Sequence, residues 1–157
     1  MRRLATLLLP TAALVFVVAW LTPVIDQGTT LGQGGVPGWE AFRVALSPVW
    51  PYEGFEAMNW FWSIIAVSSA LTNFLFVAAL AHLVWQPGVY RRAVCWALAL
   101  AFVVDSAWFV FSGDREYLRL GYYLWVASFA LLAVAAWLPT ARADRAAMPG
   151  ATSGDRV

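Results

Sequence analysis

Four apolar stretches punctuate the chain: Leu4 to Ile25, closed by Asp26; Met58 to Trp85, with His82 its one ionisable residue; Ala93 to Phe111, holding Asp105; and Leu120 to Leu138, ahead of Pro139. Each is about the twenty residues that a helix needs to cross roughly 30 Å of hydrocarbon. None alternates between apolar and polar positions as a strand would. In lipid every backbone amide must find its partner within its own segment, so runs of this length read as helices. The pattern predicts an all-α membrane protein, a bundle of four transmembrane helices over residues 4–25, 58–85, 93–111 and 120–138. These make one domain of residues 1–139, followed by a tail of residues 140–157. The tail is rich in Ala, Arg, Asp, Gly and Ser without apolar periodicity and is expected to be disordered.

Arg2 and Arg3 ahead of the first run would suit a secretory signal, but the run exceeds the length of an h-region and no A-x-A site follows it. A retained helix is the expectation. Orientation follows from the arginines. With four alternating spans, Arg2, Arg3, Arg91, Arg92, Arg142, Arg145 and Arg156 fall on one side and Arg43, Arg115 and Arg119 on the other. That bias predicts both termini and the Gln86 to Arg92 turn in the cytoplasm. The loops after the first and third spans then face outward, where Asp26, Glu40, Glu53, Glu56, Asp114 and Glu116 make the surface net acidic.

The first outer loop, residues 26–57, changes character along its length. Gly28, Gly32, Gly34 and Gly35 make its start flexible, and Pro37 then stands where a helix begins. A short interfacial helix is predicted over about residues 37–47, with Trp39, Phe42, Leu46 and Trp50 near one apolar face and Glu40 and Arg43 elsewhere. Such a helix lies on the membrane surface. It serves either as a cap, its tryptophans at headgroup depth, or as a lid or docking surface. The same headgroup preference accounts for Trp60, Trp62, Trp108, Tyr117, Tyr122, Tyr123 and Trp125 toward one interface and Trp85, Tyr90, Trp96 and Trp137 toward the other.

Composition strengthens this picture: 62% of the 157 residues are hydrophobic and 12% charged, far from the roughly 25% charged residues of a soluble domain. A formal net charge of +1 gives no footprint for nucleic acid, so membrane lipids and other membrane-protein subunits are the expected partners. The single cysteine, Cys95, cannot form an internal disulfide. All ten basic residues are arginine, which suits a GC-rich bacterial genome, and the bacterial cytoplasmic (inner) membrane is the expected location.

The candidate chemistry is intramembrane. A charge in a span costs about 3 kcal/mol on insertion scales, so Asp105 calls for partners. At 1.5 Å per residue, Asp105 lies about 18 Å from Ala93, Asn73 about 18 Å from Trp85 and Ser128 about 15 Å from Leu138. Thr72, Asn73, Asp105, Ser106 and Ser128 are therefore expected to meet near the midplane, either as hydrogen-bonding glue between helices or as a proton-relay or ligand site on Asp105 and Asn73. His82 sits too close to the end of its span to reach Asp105. It is also a lone histidine, which excludes bis-histidine haem and a His-carboxylate metal cluster, so no metal and no cofactor is expected. Ala66, Ser69, Ala70, Ala78 and Ala81 are small enough for close helix packing. No phosphate loop, Ser-His-Asp set or Cys-His pair is present, which disfavours hydrolytic and phosphoryl-transfer enzymes.

Pro37-Gly38-Trp39-Glu40-Ala41-Phe42 and Ala70-Leu71-Thr72-Asn73-Phe74-Leu75-Phe76 resemble segments of small uncharacterised bacterial integral membrane proteins. In those, a Gly-Trp-Glu/Gln-Ala segment precedes the second span and an Asn lies within it. The resemblance covers the first half of the chain and implies four helices; no activity is established for those proteins. The expected function is a non-enzymatic membrane protein, an accessory or structural subunit of a larger complex. The alternative is a small-ligand carrier or proton-coupled transporter using Asp105 and Asn73. A lipid- or quinone-handling enzyme beneath the Trp39 to Trp50 segment ranks last.

Overall fold

A computed structural model describes residues 2–26, 35–51, 59–86, 90–111, 113 and 115–138. The tail, most of the glycine stretch, Glu53, Glu56 and residues 87–89 of the expected cytoplasmic turn lie outside the described residues. Among those described, the chain is mostly helical: α1 (Arg2–Leu21), α2 (Gly38–Ala45), α3 (Trp60–Trp85), α4 (Arg91–Phe111) and α5 (Leu120–Trp137). Three of these, α3, α4 and α5, are long and apolar enough to cross a membrane. They carry apolar residues all round, including outward-facing Leu71, Val77, Leu100 and Val103, which is how a helix surrounded by hydrocarbon reads. The protein is thus helical and membrane-embedded. The apolar part of α1, Leu7–Leu21, is shorter.

The first helix stops at Leu21, short of the Ile25 that hydropathy alone predicts. Pro23 has no N–H to extend the ladder and disfavours helical geometry at Thr22. The chain leaves instead as a strand, β1 (Pro23–Ile25), which pairs antiparallel with β2 (Val36–Pro37). A bridge from Ile25 to Leu118 adds a third segment, and the Arg119 amide donates to the Val24 carbonyl at 2.9 Å. This small β structure was not foreseen in an all-α reading, because apolarity over Pro23 to Ile25 says nothing about which partner the backbone finds.

The helices run antiparallel around a common core. One end of the bundle gathers the C-termini of α1 and α4, the N-termini of α3 and α5, and α2. Gly121, at the start of α5, sits so close to the Thr22–Pro23 backbone that a Cβ there would lie 2.6 Å from the Pro23 oxygen. α5 is the central member, packed along α1 and α4, while α3 packs mainly on α4 and touches α5 lightly. Between α1 and α3 the contact is made by side chains, Phe16 stacked on Phe76 with ring centroids 4.1 Å apart. Phe129 of α5 meets Phe76 edge-on at 5.2 Å, and Leu83, Leu98 and Leu132 continue this core. At the far end Arg91 donates to the carbonyls of Ala135 (2.7 Å), Ala136 (3.1 Å) and Leu138 (2.6 Å). A cation thus satisfies the orphan acceptors at the C-terminus of α5.

Candidate functional site

Three spacings on α3 build the polar layer. Ser69, Thr72 and Asn73 lie at i, i+3 and i+4, one above another on the same helix face, and all three are buried. Opposite them, Asp105 on α4 is 0% exposed. Its carboxyl group meets the Ser69 hydroxyl at 2.9 Å and the Thr72 hydroxyl at 3.1 Å to each oxygen. The shortest contact of Thr72 is to the Ser69 carbonyl, at 2.6 Å on its own helix. Tyr122 joins the third helix, donating its hydroxyl to the Asp105 carbonyl at 2.9 Å and accepting the Phe109 amide at 3.2 Å. The Trp108 indole donates to the Ser69 hydroxyl at 3.2 Å, with its ring stacked on Trp62.

Of the five residues expected to meet, the structure brings Thr72 and Asp105 together. Asn73 is adjacent but differently engaged: its side-chain oxygen accepts the indole N–H of Trp20 (3.3 Å) and of Trp125 (3.0 Å), and its amide nitrogen donates to the Ser69 and Ala70 carbonyls at 3.2 Å each. Ser106 and Ser128 donate within their own helices, to Phe102 and Trp125 respectively. Depth along a helix was legible; azimuth was not, and these two serines bond their own helix backbones rather than Asp105. Ser69, Trp20, Trp108, Tyr122 and Trp125 are the members that sequence reasoning missed. Ser69 carried a signal, its spacing to Thr72, whereas headgroup preference accounts for Trp108, Tyr122 and Trp125 without a polar layer, and nothing in the sequence singles out Trp20. His82 occupies the last turn of α3, at the end remote from this layer.

Next to the layer lies a cavity of about 360 Å³ between α1, α3 and α5, covered by α2. Its walls are almost wholly apolar: Trp20, Phe42, Ala66 and Ala70 are typical, and Ser69 and Asn73 form its polar floor. Asp105 does not line it. Ser69, which donates to the carboxyl group, lines the cavity and separates the two. At the rim Asp26 pairs with Arg119. The volume falls within the range of about 300–1,000 Å³ typical of small-molecule sites, and convergent polar groups inside apolar walls are their usual mark.

The roof is shorter than expected. α2 ends at Ala45, so Leu46 is its cap and Trp50 stands beyond the helix. The four aromatic and apolar positions do not share a face. Phe42 points inward against Trp20 (5.4 Å) and Phe74 (5.7 Å), whereas Trp39 and Trp50 are 52% and 59% exposed. The Arg43 guanidinium lies over the Trp50 ring at 4.0 Å and donates to the Trp50 and Pro51 carbonyls. The inward face is Ala41, Phe42 and Ala45, with Val44 beside them.

Among the described residues no three His, Cys, Asp or Glu side chains converge as metal ligands. No protein-family model, curated protein or solved structure matches the chain.

Proposed function

We propose that this chain is a multi-pass protein of the bacterial cytoplasmic membrane that holds a small apolar molecule in the cavity beneath α2 and carries out no catalysis on it. The observation that carries this reading is the cavity itself, about 360 Å³ with an aromatic wall and a fixed polar floor. Apolar walls left without a guest forfeit dispersion contacts, and apolar cavities take up apolar guests. In this reading α1 is the fourth span. Its 20 residues reach about 30 Å at 1.5 Å per residue, and it packs along α5 in antiparallel register. The arginine bias then puts both termini in the cytoplasm and α2 on the outer face.

Asp105 serves as hydrogen-bonding glue in this account. Its separation from the cavity favours a carrier or receptor without proton coupling. The test is native mass spectrometry of protein purified in mild detergent. An apolar adduct on the wild type, absent from an Ala45→Trp variant that fills the cavity, is the expected result. Adduct-free protein in both would count against it.

A second reading, an accessory subunit, is favoured by α4, which buries only Leu98, Ala101 and Asp105 among its described residues. That helix would then supply the face toward a larger complex. A discrete protein partner recovered in stoichiometric amount, and released by Leu100→Arg, would support this reading.

A further inference from the structure

Which molecules the cavity admits follows from hydrogen-bond accounting around its wall. The indoles of Trp20 and Trp125 are both spent on the Asn73 oxygen. The Asn73 amide protons go to the Ser69 and Ala70 carbonyls. The Trp108 indole is held by Ser69, whose own proton goes to Asp105. Tyr122 of α5 is engaged as donor and acceptor with the α4 backbone, and Asp26 is paired with Arg119. Every polar side-chain group named at this wall already has a partner. With every donor at this wall spent, a guest's accepting oxygen or its charge would sit unpaired in an apolar site or break a bond of the floor, and either outcome is unfavourable.

Resting on the ligand-holding reading above, we propose that the cavity takes a hydrocarbon segment: an uncharged chain or ring system without hydrogen-bonding groups at the end that enters. At about 30 Å³ per water-sized unit, the volume of about 360 Å³ holds on the order of a dozen non-hydrogen atoms. That matches a free small hydrophobe or the terminal part of a membrane-lipid tail. The polar layer does not recognise the guest; it fixes the indole rings whose faces do.

Photolabelling of the full chain in phospholipid nanodiscs tests this. Three probes are used: an alkyl diazirine of about twelve carbons, its hydroxyl-terminated counterpart, and a phospholipid carrying the same diazirine near the end of one acyl chain. The expected result is saturable labelling of α2 and the Trp20 region by the alkyl probe, abolished by Ala45→Trp. Labelling by the hydroxyl probe at those positions should be at least about tenfold weaker, the scale on which an apolar pocket rejects an added hydroxyl. Labelling of lipid-facing Leu100 and Val103 should be unchanged in the variant, showing that it folds. Labelling by the phospholipid probe assigns the source to membrane lipid, and labelling by the free probe alone assigns it to a small solute. Equal labelling by alkyl and hydroxyl probes overturns the hydrocarbon class while leaving the cavity a ligand site. Labelling of α2 no greater than that of α4, and indifferent to Ala45→Trp, overturns the ligand-holding reading as well.

Discussion

Asp105 meets two hydroxyl groups and no base, which decides what a substitution there should do. Thr72 has a single hydroxyl proton, drawn toward the Ser69 carbonyl at 2.6 Å, so a residue at 105 that can both donate and accept fits the site. Asp105→Asn is therefore expected to fold and stay as stable as the wild type within about 1 kcal/mol, because interhelical hydrogen bonds in membranes average about 0.6 kcal/mol. Asp105→Leu strands the Ser69 hydroxyl proton, while Thr72 keeps the Ser69 carbonyl, and should cost about 1–3 kcal/mol, read by reversible unfolding in mixed micelles. Asn73→Leu removes the acceptor shared by Trp20 and Trp125. It should cost a similar amount, about 1–3 kcal/mol, and alter tryptophan emission; an unchanged spectrum would contradict the indole pairing. The pairing of Asp105 with Thr72 was readable from depth along two helices. That of Asn73 was not, since rotation about each helix axis decides which side chain faces it.

Helices as elements were legible almost to the residue at α3, α4 and α5, because hydrocarbon demands unbroken apolar runs. Their ends needed information that hydropathy lacks: Pro23 cut α1 short, and α2 closed after two turns. Close backbone approach explains the docking of α2. A Cβ on Gly38 would lie 2.6 Å from the Ala19 oxygen and 2.7 Å from the Trp20 Cα, so nothing larger than a hydrogen fits there. Gly38→Ala should lift α2 from α1. Amide exchange over residues 38–45 should then rise about tenfold, an opening free energy lowered by about 1.4 kcal/mol. Arg91 does the corresponding work at the other end. Arg91→Ala leaves the Ala135, Ala136 and Leu138 carbonyls without their donor and is expected to cost about 1.5–3 kcal/mol. Arg91→Lys, with a compact ammonium in place of the planar fork, should recover only part of that loss in thermal unfolding.

For the whole molecule, the polar layer and the cavity depend on α1 lying alongside α5 as a full member of the bundle, since Ala19 and Trp20 close one wall. Apolar runs made the helical bundle readable at the scale of the chain. The cavity was not readable, because it lies between α1, α3 and α5 beneath α2, a property of packing rather than of any one segment. The count of crossings is the point on which the account turns. With α1 as a fourth span the two termini share a compartment; with three spans they are on opposite sides. Small epitope tags at each terminus, probed with antibody and protease in intact and then permeabilised bacterial cells, measure this directly. Protection of both tags until the membrane is opened is the predicted result. An amino-terminal tag cleaved in intact cells while the carboxy-terminal tag survives would contradict it.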